Sequence, residues 1–279
     1  MEKTSYVDHT KNAPTVLSFC SGYGGIERGL DIAGFKHRVI TYVEIEAYAI
    51  ANLVAKMESN QLDAATIYSD IKTFPSHIFR DKVSVITGGY PCQPFSLATG
   101  GKRRGNKDPR HLWEYIREHI KTIRPIWCFF ENVEGHITLG LRDVIEDLES
   151  MGYASTFGIF SASEVGASHH RKRVFILGYA SGARFKRRWR YCVSAQSRFT
   201  WSTSSSKDFP AKRGSKAHNW ENARLKPRMG RADDGYPYKV DRLRLLGNGV
   251  VPQTAAKAWL TLNQKLLEQN EKRCSGQMV

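Results

Sequence analysis

The feature that most constrains this chain is a repeated alternation of short strand-like runs with helical ones. TVLSFC (Thr15–Cys20) is an apolar run ending in a glycine turn, and IERGLDIAGF after it reads as a helix closed by Gly34. RVITYVE with AYAIANLVAKM, VSVITGG with HLWEYIREHIKTI, and IWCFFENV with LRDVIEDLESMG repeat the same order. RVFILGYA is a late strand, and VPQTAAKAWLTLNQKLLEQN is a long helix begun at Pro252. Strands separated by helical segments pair in parallel with the helices covering both faces. The fold class expected is therefore α/β with a mostly parallel sheet. No internal repeat is evident.

Charge divides the chain further. Of a formal net charge of +15 over 279 residues, Ala180 to Val240 carries fifteen Lys/Arg against four Asp/Glu, a net of +11, leaving +4 for the remainder. In that window Trp189, Tyr191, Trp201 and Trp220 alternate with cations, as in RFKRRWRYC and AHNWENARLKPRMGR. Basic groups neutralise phosphates, while aromatics and hydroxyls reach bases and sugars, so nucleic acid is the expected partner; a solvated linker is the bland alternative. The division predicted is a large α/β domain over 1–179, a small basic region over 180–240, and residues 241–279 returning to the first. Five scattered cysteines form no C-x-x-C or Cys/His cluster, so no metal is expected and a reducing compartment fits. No run approaches the ~20 apolar residues of a membrane span. MEKTSYVDHTKNAP lacks a signal-peptide core, so a cytoplasmic, intracellular protein without a membrane partner is expected.

Ligands of open α/β sheets bind at the carboxyl ends of the strands. The first such turn is CSGYGGIERG, where Gly22, Gly24 and Gly25 allow close backbone approach. Glu44 in TYVEIEAY ends the second strand, a position from which a carboxylate holds ribose hydroxyls, and Asp70 in YSDI could accept from an adenine amino group. An adenosine-bearing cofactor fits; dinucleotide and S-adenosylmethionine both satisfy these residues.

Chemistry centres on ITGGYPCQPFSLATGGKRRGNKDPR. Pro91 and Pro94 stiffen the backbone about Cys92, and Lys102, Arg103, Arg104 and Lys107 follow it in a glycine-rich loop. Thiolate is the reactive form of cysteine, and nearby cations favour it; the same cations could instead grip a phosphate backbone.

PCQPFS, together with ENV (Glu131–Val133), HHRKRVFILG and GNGVVPQ, resembles the cytosine-5 DNA methyltransferases, in the family's order from Leu17 to the helix after Pro252. The resemblance implies a Rossmann-like, S-adenosylmethionine-dependent methyltransferase fold whose small basic region is a target-recognition domain for double-stranded DNA, with S-adenosylhomocysteine as product and no metal. It implies Cys92 as nucleophile toward cytosine C6, Glu131 as hydrogen donor to N3, Arg173 at the cytosine O2 and Arg171 supporting the loop and Glu131. It places Cys20, Ser21, Gly22, Tyr23, Gly24, Gly25, Glu44, Ile45, Asp70, Ile71, Gly89, Pro91, Leu112 and Asn248 around the cofactor. DNA contacts are expected from Gln93, Ser96, Lys102, Arg103 and Arg104, and from Arg187, Arg188 and Arg190 of the basic region. A monomer is expected, with a cognate restriction endonuclease as a candidate partner. Two departures stand out: Ser18 and Cys20 replace an acid and an aromatic, and His169 replaces a glutamine. The alternatives are a transfer-RNA cytosine-5 methyltransferase and a catalytically silent DNA-binding protein.

Overall fold

The computed structural model describes residues 13–91, 112–167, 169–180 and 247–274, the last with side chains to 269. Its elements are β1 (Thr15–Phe19), α1 (Gly25–Ile32), β2 (Arg38–Val43), α2 (Ala47–Glu58), β3 (Thr66–Tyr68), β4 (Val85–Gly88), α3 (Trp113–Ile123), β5 (Trp127–Val133), α4 (His136–Leu139), α5 (Leu141–Ser150), β6 (Tyr153–Ser161), β7 (Lys172–Ala180) and α6 (Pro252–Cys274). The seven strands lie in the order β3-β2-β1-β4-β5-β7-β6. The first five are mutually parallel, because each crossover carries the chain back through a helix or helical turns.

β7 departs from the parallel expectation. It runs antiparallel to both β5 and β6, and it is reached through β6, which the sequence pattern does not announce. In YASTFGIFS, hydroxyls and Gly158 interrupt the apolar residues, and Phe157 and Ile159 stay exposed on the outer strand. A strand at the sheet edge with apolar residues on its solvent side has no clean two-residue period to read. β3, only three residues long, is equally silent.

Because successive strand residues face opposite sides, one sheet makes two cores. Val16, Trp127, Phe129 and Phe175 pack with Leu30 of α1 and Trp259 and Leu262 of α6. Leu17, Ile86, Phe130 and Ile176 face the other way, onto Ile116 and Ile120 of α3 and Val144 and Leu148 of α5. Each fully buried large apolar side chain contributes about 1.5–3 kcal/mol. Trp259 ties the final helix to the sheet, its ring centroid lying 5.0 Å from Phe35 and 5.2 Å from Phe129.

α1 and α6 touch backbone to backbone. A Cβ placed on Gly29 would come within 2.6 Å of the Ala255 Cβ and 2.7 Å of the Pro252 carbonyl oxygen. This approach sets the end of the chain beside the first glycine turn. Gly29→Val should cost about 1–3 kcal/mol by overpacking, read as a lowered midpoint of thermal unfolding. An unchanged midpoint would show that the two helices are not in close contact.

Candidate active site at the strand ends

The carboxyl ends of β1 to β5 open onto a cavity of about 770 Å³. The turn after β1 is built from left-handed backbone, with φ of 49° at Cys20, 55° at Gly22 and 76° at Gly24. That geometry turns the Gly22 N–H toward Glu44 Oε2, to which it donates at 2.7 Å, while the Glu46 N–H donates to Oε1 at 2.9 Å. Glu44, buried at the end of β2, is thus fixed by two backbone donors, and a carboxylate accepts about four hydrogen bonds. Acceptor capacity for two vicinal hydroxyls remains.

One strand further out, Asp70 caps the 3₁₀ turn Ile71–Thr73, its Oδ1 accepting from the Lys72 N–H at 2.9 Å. Buried His119 of α3 holds the same turn by donating Nε2–H to the Ile71 carbonyl at 2.7 Å. Cys20, Ser21, Gly22, Tyr23, Gly25, Ile45, Gly89, Pro91, Leu112 and Asn248 also line the cavity with Glu44, Asp70 and Ile71. Gly24 is the exception among the predicted cofactor residues. It is the N-cap of α1, where its positive φ and the Leu62 side chain, 2.6 Å from a Cβ placed there, both favour glycine. Burial, then the Glu44 carboxylate, pushes the Cys20 thiol up to about 12, so it stays protonated.

The far wall comes from the end of the chain. A Cβ on Gly249 would overlap the Tyr23 ring, whose hydroxyl donates to the Val250 carbonyl. Lys56 Nζ donates to the Tyr23 carbonyl at 2.6 Å and lies 4.6 Å from the centre of that ring. Arg171 Nη2 donates to the carbonyls of Gly247 at 2.7 Å and Gly249 at 2.5 Å. Arg171 immediately precedes β7 and has a backbone φ of 27°. Arg173 pairs with Glu131, and Arg171 acts on the same carboxyl through its charge.

Glu131, on β5, is 5% exposed. Arg173 Nε lies 2.9 Å from its Oε1, a charge pair without aligned hydrogen-bond geometry. Burial pushes the Glu131 carboxyl up to about 7, against the opposing pull of Arg173 and then Arg171. A carboxylic acid that loses its proton near neutrality suits proton transfer. Gly89 makes room for it, since a Cβ there would meet Glu131 Oε2 at 3.3 Å.

Asn132, next on β5, donates from Nδ2 to the Tyr90 carbonyl at 3.2 Å. The Tyr90 hydroxyl lies 3.0 Å from His136 Nε2, and both side chains are buried. Burial lowers the His136 pKa to about 4, so the phenol is bonded to a neutral imidazole. Tyr90 and Pro91 lead directly into Cys92, so these contacts fix the backbone at the threshold of the predicted nucleophile. Asn132 was legible within ENV; Tyr90 and His136 carried no sequence signal. Cys92, Gln93, Ser96, Lys102, Arg103, Arg104, Arg187, Arg188 and Arg190 lie outside the described residues. Among the described residues no helix is long and apolar enough to cross a membrane, and no group of His, Cys, Asp and Glu could hold a metal.

A mostly parallel sheet thus brings Glu44 and Asp70, at successive strand ends, and the buried Glu131 beside Arg173 to the wall of one cavity. The C-5 cytosine-specific DNA methylase family matches residues 15–258, and the chain belongs to it. Type II methyltransferase M.NaeI of Lentzea aerocolonigenes is 34% identical over 167 residues, covering 58% of this chain and 38% of the relative. Type II methyltransferase M.NgoMIV of Neisseria gonorrhoeae is 31% identical, covering 58% of this chain and 51% of the relative. The chain thus spans about two-fifths to one-half of their lengths. A crystal structure of a Spodoptera frugiperda DNMT2 mutant shares the fold, with a TM-score of 0.51, 22% identity, and coverage of 61% of this chain and 51% of that one.

The raised Glu131 carboxyl has a consequence for stability. Between its ordinary 4.5 and about 7 the folded protein holds a proton that the unfolded chain has released. Stability from this group is therefore complete below pH 4.5 and falls as pH rises to about 7, by up to about 1.4 kcal/mol per pH unit. Thermal melts of Glu131→Gln should show a flatter pH dependence across that window than those of the parent. An identical slope would place the proton elsewhere.

Proposed function

We propose that the protein is a DNA (cytosine-5-)-methyltransferase that modifies a flipped cytosine in a specific duplex site. The observation that carries this reading is the buried Glu131, paired with Arg173 on the wall of the cofactor cavity and one strand from the Tyr90–Pro91 segment that leads into Cys92. Membership of the C-5 cytosine-specific DNA methylase family, and relatives named as type II methyltransferases, support duplex DNA over transfer RNA as the substrate.

The donor set fits S-adenosylmethionine: Glu44 would take the ribose hydroxyls, Asp70 and Ile71 the adenine edge, and the turn from Cys20 to Gly25, with Asn248, the remainder. Bound there, S-adenosylmethionine supplies an electrophilic methyl group on a sulfonium sulfur. Cytosine C5 is a poor nucleophile, and a Cys92 thiolate that bonds to C6 moves the ring electrons toward C5. Glu131, protonated near neutrality, donates its hydrogen to N3 as negative charge gathers there, and Arg173 bonds the O2 edge. With the methyl group on C5, S-adenosylhomocysteine is left as the by-product of the broken sulfonium bond. Transfer of the C5 proton to a base, for which solvent water would serve, would then re-form the ring double bond as the C6–sulfur bond breaks. Glu131 recovers the N3 proton, and the Cys92 thiolate is regenerated.

The target atom is shielded in stacked DNA, so the base must leave the helix. The loop after Cys92 and the basic region over 180–240 are proposed to hold the opened duplex, the latter reading bases from the major groove. A restriction endonuclease of matching site is the proposed partner, and the cell interior the proposed location.

The test is transfer of labelled methyl from S-adenosylmethionine to duplex DNA, with sequencing for 5-methylcytosine in host DNA to give the site. Cys92→Ser should reduce transfer to background while the thermal melt is unchanged. Glu131→Gln should lower turnover about 100-fold or more, as expected for loss of a proton donor. Transfer to transfer RNA alone, or full turnover by Cys92→Ser, would contradict the assignment.

A further inference from the structure

Glu27 has no place in the reading above. It sits in the first turn of α1, 1% exposed, yet lines the cavity. Its Oε1 accepts from the Thr87 hydroxyl of β4 at 2.5 Å. Among the described residues no cation forms an ion pair with it: Arg28 pairs with Asp31 at 3.6 Å, and Lys56 donates to the Tyr23 carbonyl at 2.6 Å. A buried carboxylate with one neutral donor is costly unless a charged donor completes it. Beside it lies Ser18, in register with Tyr42 on β2 and Thr87 on β4, where the family resemblance expects an acid. The acid of this wall is supplied by the helix instead of the strand.

The strand order fixes what part of a ligand passes Glu27. Asp70 follows β3, Glu44 ends β2, and Glu131 lies on β5, while β1 and β4 stand between. A ligand with adenine at Asp70 and ribose at Glu44 extends its amino-acid portion over β1 and β4, toward Glu131. We propose that Glu27, oriented by Thr87, binds the α-ammonium group of the methionine portion of the cofactor. The ammonium is preferred to the sulfonium because it carries N–H donors for the open carboxylate lone pairs, and the sulfonium carries none. This rests on the reading that the cavity holds S-adenosylmethionine.

Calorimetric binding to the whole protein tests it without turnover, using S-adenosylhomocysteine, its analogue lacking the amino group, and S-adenosylmethionine. Glu27→Gln should weaken S-adenosylhomocysteine about 10- to 100-fold and leave the deaminated analogue unchanged. Glu27→Asp should recover part of the loss. Parent protein should itself prefer S-adenosylhomocysteine to the deaminated analogue by a similar factor, a comparison that stands even where the variant fails to fold. Equal loss for both ligands, loss confined to S-adenosylmethionine, or no preference by the parent would each overturn the assignment. If the parent binds none of the three, the cofactor reading falls with it; if the parent binds and Glu27→Gln is unaltered, only the role of Glu27 falls.

Discussion

Glu131 lies under the surface of the sheet's carboxyl edge, and the strands around it are arranged so that its carboxyl can stay there. Desolvation opposes its charge, while Arg173 and Arg171 favour it, and the balance leaves a proton that is exchanged near neutral pH. Arg173 comes from the start of β7 and Arg171 from the residue just before that strand, so the antiparallel insertion of β7 beside β5 is what brings cations toward an acid on its neighbour. A fully parallel sheet would have put the other end of that strand there.

The same arginines connect chemistry to architecture. Arg171 spends its guanidinium on the carbonyls of Gly247 and Gly249, which belong to the segment leading into α6. That segment is held from its other side by the Tyr23 hydroxyl and by the close α1–α6 packing at Gly29. The turn after β1, Arg171 beside Glu131's strand, and the final helix are thus one mechanically linked unit. The buried Tyr90–His136 and Tyr90–Asn132 contacts extend it to the last residue before Cys92 but one.

How much of this was legible in the sequence depends on the kind of signal involved. Buried parallel strands write themselves as continuous apolar runs, so β1, β2, β4 and β5 were readable, as was Glu44 at the end of β2. Edge strands bury one face poorly, and β6 left no period. Glu44 could be placed because it ends a readable strand, and Asp70 by its short YSDI turn although β3 itself is silent, but Glu27 could not: an acid in an amphipathic helix ordinarily faces water, and only the packing of α1 against β4 reverses that. Gly24 shows a second demand hidden in the turn after β1, since its positive φ and its approach to Leu62 belong to the start of α1. The raised Glu131 carboxyl required the third dimension altogether, since burial is not local in sequence.

The most direct measurement concerns the sulfur of Cys92 and the carbon it is proposed to attack. Duplex DNA carrying 5-fluorocytosine at the modified position, incubated with the protein and S-adenosylmethionine, blocks the final step, because fluorine cannot leave as the proton does. A protein–DNA complex that survives denaturing electrophoresis, with one methyl group per adduct and the crosslinked peptide containing Cys92, is expected. Methyl transfer to ordinary cytosine at the same site, with no covalent complex on the fluorinated duplex, would contradict a covalent mechanism.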